Sequence, residues 1–81
     1  MLIRILAFAN VRELLGASER SLELPNGARA GDAWSVLVAD RPELAEQRAS
    51  IRVAVNGRLA SFDAPLGDGD ELALLPPVGG G

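Results

Sequence analysis

Apolar residues fall along the chain in short runs separated by turn-forming residues, and their spacing changes as the chain proceeds. Residues 2–9 are rich in Leu and Ile over a length suited to a buried strand. Asn10 is placed to cap a short helix, Val11-Arg12-Glu13-Leu14-Leu15, with Gly16 as its C-terminal stop. Ser21-Leu22-Glu23-Leu24 alternates polar with apolar, as a strand with one solvated face does, and Pro25-Asn26-Gly27 ends it in a turn. From Gly31 or Asp32 the spacing shifts to three and four, so that Trp34, Leu37 and Val38 share one face of the main helix. Pro42 interrupts that helix, and Pro42-Glu43-Leu44 can open a second, short helical turn. Ile51, Val53 and Val55 then alternate with Arg52 and Ala54, which predicts a half-buried strand. Asn56-Gly57 is a strong hairpin signal, and Arg58-Leu59-Ala60 returns as a short strand. Residues 62–70 read as a loop of two tight turns, and Glu71–Leu75 as a last strand. Two prolines keep Pro76-Pro77-Val78-Gly79-Gly80-Gly81 from pairing as a central strand, and its three glycines favour no fixed shape. The expected organisation is a domain over 1–75 and a free tail over 76–81.

A hairpin, a helix across one sheet face and then more strands is the pattern of an α+β β-grasp domain with a mixed sheet. The first strand needs a crossover to reach a parallel neighbour, and the main helix can supply it. Length fits one domain: 81 residues, 48% of them hydrophobic. Aromatic residues are limited to Phe8, Trp34 and Phe62, so aliphatic side chains must do most of the core filling. Trp34 lies on the apolar helix face and reads as core.

Charge and inventory narrow the function. The formal net charge is −3, and no basic patch carries interleaved aromatics, which argues against a nucleic-acid partner. The N-terminal apolar run is short and interrupted by Arg4, which suits neither a signal peptide nor a membrane span; a cytoplasmic protein is expected. There is no Cys, His or Lys. That removes disulfides, thiolate nucleophiles, the commonest general base and metal ligand, and Schiff-base or isopeptide linkage on a side chain. A serine nucleophile would have no His or Lys to take its proton. The acidic group Asp63, Asp68, Asp70 and Glu71 lacks the ligand spacing of a calcium loop, and its plain reading is turn aspartates bonding nearby backbone amides.

What remains is the chain end. Its root follows a strand, Pro76-Pro77 stiffens it, and the three terminal residues have no side chains and fit a narrow slot. Six extended residues span about 20 Å. This suits a probe that delivers the Gly81 carboxylate into another protein's active site. A carboxylate is a poor electrophile; adenylation makes it a mixed anhydride, and sulfur displacing AMP then gives a nucleophilic thiocarboxylate. None of this needs a catalytic side chain on the carrier.

Four segments resemble the small subunits of molybdopterin synthase: Phe8-Ala9-Asn10-Val11-Arg12-Glu13-Leu14-Leu15-Gly16, Ala54-Val55-Asn56-Gly57, Ser61 through Glu71, and Leu75-Pro76-Pro77-Val78 followed by Gly80-Gly81. The match runs nearly end to end and is weakest over residues 17–50. The resemblance implies a ubiquitin-like β-grasp fold and a non-catalytic sulfur-carrier subunit. It implies that a ubiquitin-activator-like enzyme uses ATP to adenylate Gly81, that a sulfur donor protein completes the thiocarboxylate, and that the chain itself binds no cofactor. The tail is then expected to enter the synthase large subunit, in a heterotetramer, and give sulfur to cyclic pyranopterin monophosphate. In that family an apolar sheet surface beside the tail docks on partners; the matching positions are Phe8, Leu59 and Leu75, with Pro76, Pro77, Val78, Gly79 and Gly80 as the inserted segment. For Phe8 and Leu59, core and interface stay open, since either strand face could be buried. Leu75 at the strand end favours the partner. Leu74-Leu75 stands where the family often has two phenylalanines, which makes the patch less aromatic. Arg12 reads as a solvated charge beside Glu13. A carrier for thiamine thiazole synthesis or for a tungsten cofactor, and a ubiquitin-like modifier of other proteins' lysines, are the competing readings; the Val-Arg-Glu-Leu and Pro-Pro-Val stretches favour molybdopterin.

Overall fold

The computed structural model describes residues 1–76. The chain order is β1 (Leu2–Ala7), α1 (Ala9–Leu15), β2 (Glu19–Glu23), α2 (Ala30–Asp40), a 3₁₀ turn (Pro42–Gln47), β3 (Arg52–Val55), β4 (Arg58–Ala60) and β5 (Glu71–Leu75). The strands form one mixed five-stranded sheet in the order β2-β1-β5-β3-β4. β5 lies at its centre, parallel to β1 and antiparallel to β3. This is the α+β β-grasp arrangement that the order of elements predicts and that the family resemblance implies as a ubiquitin-like fold.

Strand alternation sends Ile3, Ile5, Ala7, Leu22, Val53, Leu72 and Leu74 to one sheet face, where they join Ala33, Trp34 and Leu37 of α2 and Val11 and Leu15 of α1. Leu72 and Leu74 are fully buried, and burial of each contributes about 1.5–3 kcal/mol. Trp34 is core, as its helical spacing predicts, and it meets Phe62 edge-on with ring centroids 6.2 Å apart. Arg48 stacks on the other component of that pair, its guanidinium 3.5 Å from the Phe62 centroid. No helix among the described residues is long and apolar enough to cross a membrane.

Several boundaries differ from the sequence expectation. Strand β1 ends at Ala7 rather than running to residue 9, and β3 begins at Arg52 rather than Ile51. Helix α1 opens at Ala9 with Phe8 as its N-cap residue, and Asn10 lies inside it. The Asn10 amide serves the 3₁₀ turn instead, donating to Gln47 Oε1 at 3.0 Å. The chain turns from β1 into α1 with no linker by placing Ala9 at φ 51°, an L-residue in the left-handed region. Strand β2 begins at Glu19, because its pairing with β1 runs on to Leu6↔Glu19. Helix α2 opens at Ala30, with Asp32 inside its first turn accepting a bond from Arg29 N at 2.7 Å. Gly16 at φ 82° ends α1, and Asn56 and Gly57, both at positive φ, make the β3–β4 turn as their residue types predict.

The loop before β5 is stapled to the sheet. Asp68 accepts from Leu2 N at 2.7 Å, and Asp70 accepts from Gly67 N at 2.7 Å and from the Asn56 amide at 2.9 Å. Asn56 also accepts from Glu71 N at 3.0 Å. Asp70 thus bonds a nearby backbone amide, the turn role read from the sequence, whereas Asp68 reaches an amide of β1 that is distant along the chain.

Candidate functional site

The sheet face opposite the helices carries the side chains of the alternate strand positions. Its middle row follows from the register: Leu6 on β1 pairs with Ala73 on β5, Ala73 with Ala54 on β3, and Ala54 with Leu59 on β4. The row is apolar across four strands. One step toward the C-terminal end of β5 lie Leu75 and its partner Arg52, with Phe8 just beyond the end of β1. One step the other way lie Arg4, paired in register with Glu71, and Asn56.

This settles Phe8 and Leu59. Phe8 is 43% exposed and Leu59 75% exposed, so neither is core. Leu75 is half-buried, as is Pro76. Paired positions on adjacent strands stand roughly 5 Å apart, so the row from Leu6 through Ala73 and Ala54 to Leu59 is continuous, with Phe8 and Leu75 one step along at the root of the tail. Leu6 and Ala73 in that row are half-buried and Ala54 is buried beneath its neighbours; sequence reading did not single them out. The signal was present: with Val53 and Leu72/Leu74 facing in, Ala54, Ala73 and Leu75 must face out. Pro77, Val78, Gly79, Gly80 and Gly81, on which the expected reactive end and most of the expected inserted segment fall, lie outside the described residues.

The charges on this face are unevenly placed. Arg4 forms a charge-assisted hydrogen bond to Glu71 and lies 3.8 Å from Glu19, and these two acids raise its pKa above the usual arginine value, the Glu71 bond most of all. Asp70 is held below the usual carboxylate range, first by the Asn56 amide and then by Gly67 N–H. At the β2 end of the fold, Arg20 bonds Asp40 at 2.7 Å and, with Arg41, lowers its pKa. Arg12 is exposed, consistent with a solvated charge. Among the described residues no group of three or more acids, histidines or cysteines could hold a metal ion. The described part of this face is an apolar sheet surface that ends beside Leu75 and Pro76.

Known proteins share this layout. Residues 5–81 match the ThiS family. The molybdopterin synthase sulfur carrier subunit of Escherichia coli is 44% identical over 82 residues, covering 99% of this chain and all of that one. The small archaeal modifier protein 1 of Haloferax volcanii is 35% identical over 82 residues, covering 91% of this chain and 94% of that one. Among solved structures, a molybdopterin converting factor subunit 1 from Pyrococcus furiosus superposes with a TM-score of 0.87 at 34% identity, over 96% of this chain and 99% of that one. With sequence and fold matching from end to end, the chain belongs to the ThiS family and groups with its molybdopterin synthase sulfur carrier subunits.

Proposed function

We propose that this chain carries sulfur for molybdopterin synthesis on the carboxylate of Gly81. The observation that carries the proposal is that the family match extends to residue 81, so that the folded domain and its Gly80-Gly81 end belong to one unit. In the proposed cycle, an activating enzyme transfers AMP from ATP to the Gly81 carboxylate and releases pyrophosphate. Sulfide-level sulfur, delivered by a donor protein, then attacks the acyl carbon and displaces AMP, which leaves with the bond pair, and the product is a thiocarboxylate. At neutral pH that group is an anion and a strong nucleophile, suited to attack the cyclic pyranopterin monophosphate bound by the large subunit. Its sulfur bonds a substrate carbon as an oxygen substituent there departs with its bond pair, giving a thioester; water then cleaves the acyl–sulfur bond, which leaves the sulfur on the substrate and restores the carboxylate.

The chain's own residues supply grip and reach. The face formed by Leu6, Ala54, Ala73 and Leu59, with Phe8 and Leu75 beside the tail, docks on the large subunit. Its apolar groups suit the centre of an interface, where aromatic and aliphatic anchors contribute most. In this proposal the segment from Pro77 to Gly80 enters the slot of the large subunit and brings Gly81 to the substrate. Incubation with ATP, the cognate activating enzyme and a sulfur source should raise the intact mass by about 16 Da, one oxygen exchanged for sulfur. No gain with an activating enzyme shown to adenylate the chain overturns the proposal.

The Haloferax relative supports a second reading, attachment of Gly81 to lysines of other proteins. It is distinguished by a ladder of conjugates in lysate probed for this chain.

A further inference from the structure

We infer that Arg52 fixes how the carrier sits on its partner, and that the partner presents a carboxylate opposite it. The inference rests on the proposed docking of the sheet face beside the tail. Two arginines project from that face, Arg4 and Arg52. Arg4 is neutralised within the chain by Glu71 and Glu19. Arg52 is exposed, and among the described residues it has neither an ion pair nor a side-chain hydrogen bond.

Its position makes that difference consequential. Arg52 is the register partner of Leu75, the last residue of β5. On its other side, Leu59 pairs with Ala54, two residues further along the same strand, so Arg52 and Leu59 stand about 7–8 Å apart on the diagonal. Arg52 thus sits between two apolar groups of the docking face and against the root of the tail. A surface that covers both Leu75 and Leu59 covers Arg52 as well. Its three-carbon stem adds to the apolar contact, but its guanidinium loses water. Removing water from an unpaired cation opposes docking and works against the contact the two leucines make. A bidentate carboxylate on the partner offsets that cost and adds a directional constraint that aliphatic contacts lack. The partner surface is therefore an apolar patch bearing an Asp or Glu at the margin where the tail enters.

The test uses the full chain and the cognate synthase large subunit, with affinity measured by calorimetry at low and high salt. Arg52→Met keeps the stem and removes the charge; it should weaken binding at least about tenfold and flatten the salt dependence. Arg52→Glu should weaken it further, and Arg52→Lys should recover part of the loss because the charge returns without the fork. Thermal unfolding of these variants should match the parent, since the side chain is exposed. Leu59→Arg is the control for the face itself. If Leu59→Arg weakens binding while Arg52→Met binds within about twofold of the parent with the same salt dependence, the role of Arg52 is refuted and the docking face stands. If both bind as the parent does, the docking face is refuted with it.

Discussion

Asn56 offers the most direct test of how the hairpin is tied to the central strand. Its backbone sits at φ 51°, its amide donates to Asp70 at 2.9 Å, its carbonyl accepts from Glu71 N at 3.0 Å, and its own N–H donates to Glu71 O at 2.8 Å. Two substitutions separate the contributions. Asn56→Gly removes both side-chain bonds but tolerates the left-handed backbone. With a neutral bond at about 1 kcal/mol and the bond to an exposed carboxylate toward the low end of its range, the loss is about 2 kcal/mol. Glycine's extra freedom in the unfolded chain adds about 0.5–1 kcal/mol. Asn56→Ala loses the same two bonds and holds an L-residue at positive φ, which costs about 1–2 kcal/mol in place of the glycine entropy. Alanine should therefore be the worse replacement by about 0.5–1 kcal/mol, reversing the usual order of these residues. Trp34, buried against Phe62, reports unfolding by its fluorescence in urea, where a chain of this size loses about 1 kcal/mol per molar denaturant. The midpoint should fall by about 2.5–3 M for glycine and further for alanine. If alanine is the milder change, or if both midpoints lie within about 0.5 M of the parent, the account of the clamp is wrong.

Other outcomes follow from the burial and charge pattern. Leu72→Ala empties a fully buried position on the central strand and should cost about 2–5 kcal/mol, read as a lowered urea midpoint or, in a domain this small, as loss of the cooperative transition. Asp40 and Asp70 have depressed pKa values in the folded chain, so their contribution is present above the unfolded carboxylate value of about 3.9 and is lost as pH falls through the folded values. Urea midpoints taken from pH 6 down to pH 2 should decline in that acid range, and the gap between the parent and Asn56→Gly should narrow as Asp70 takes up its proton.

The sequence announced those elements whose signals are local. Asn56-Gly57 between alternating residues gave β3, the turn and β4 at once, and Gly16 marked the end of α1. It was silent where long-range pairing decides. Glu19 and Arg20 look like loop residues, and they are strand because β1 offers them partners. Ala9 carries no glycine-like sign of a left-handed turn, and Asn10 resembles a cap while its amide bonds Gln47, distant in sequence. The apolar face was half visible. The family resemblance pointed to Phe8, Leu59 and Leu75, whereas Leu6, Ala54 and Ala73 join Leu59 in one row only when four strands are set in register. Arg52 read simply as the polar half of an alternation.

The strand that bears the tail is the last to be made and the one that goes in the middle. Until Glu71–Leu75 has emerged, β1 and β3 have nothing between them, and neither Leu72 nor Leu74 is available to the core. A chain cut short before Glu71 therefore lacks the centre of its sheet, however complete its other four strands are. The order of synthesis and the order across the sheet run against each other, so the domain closes only when its last described strand slides between two that are already made.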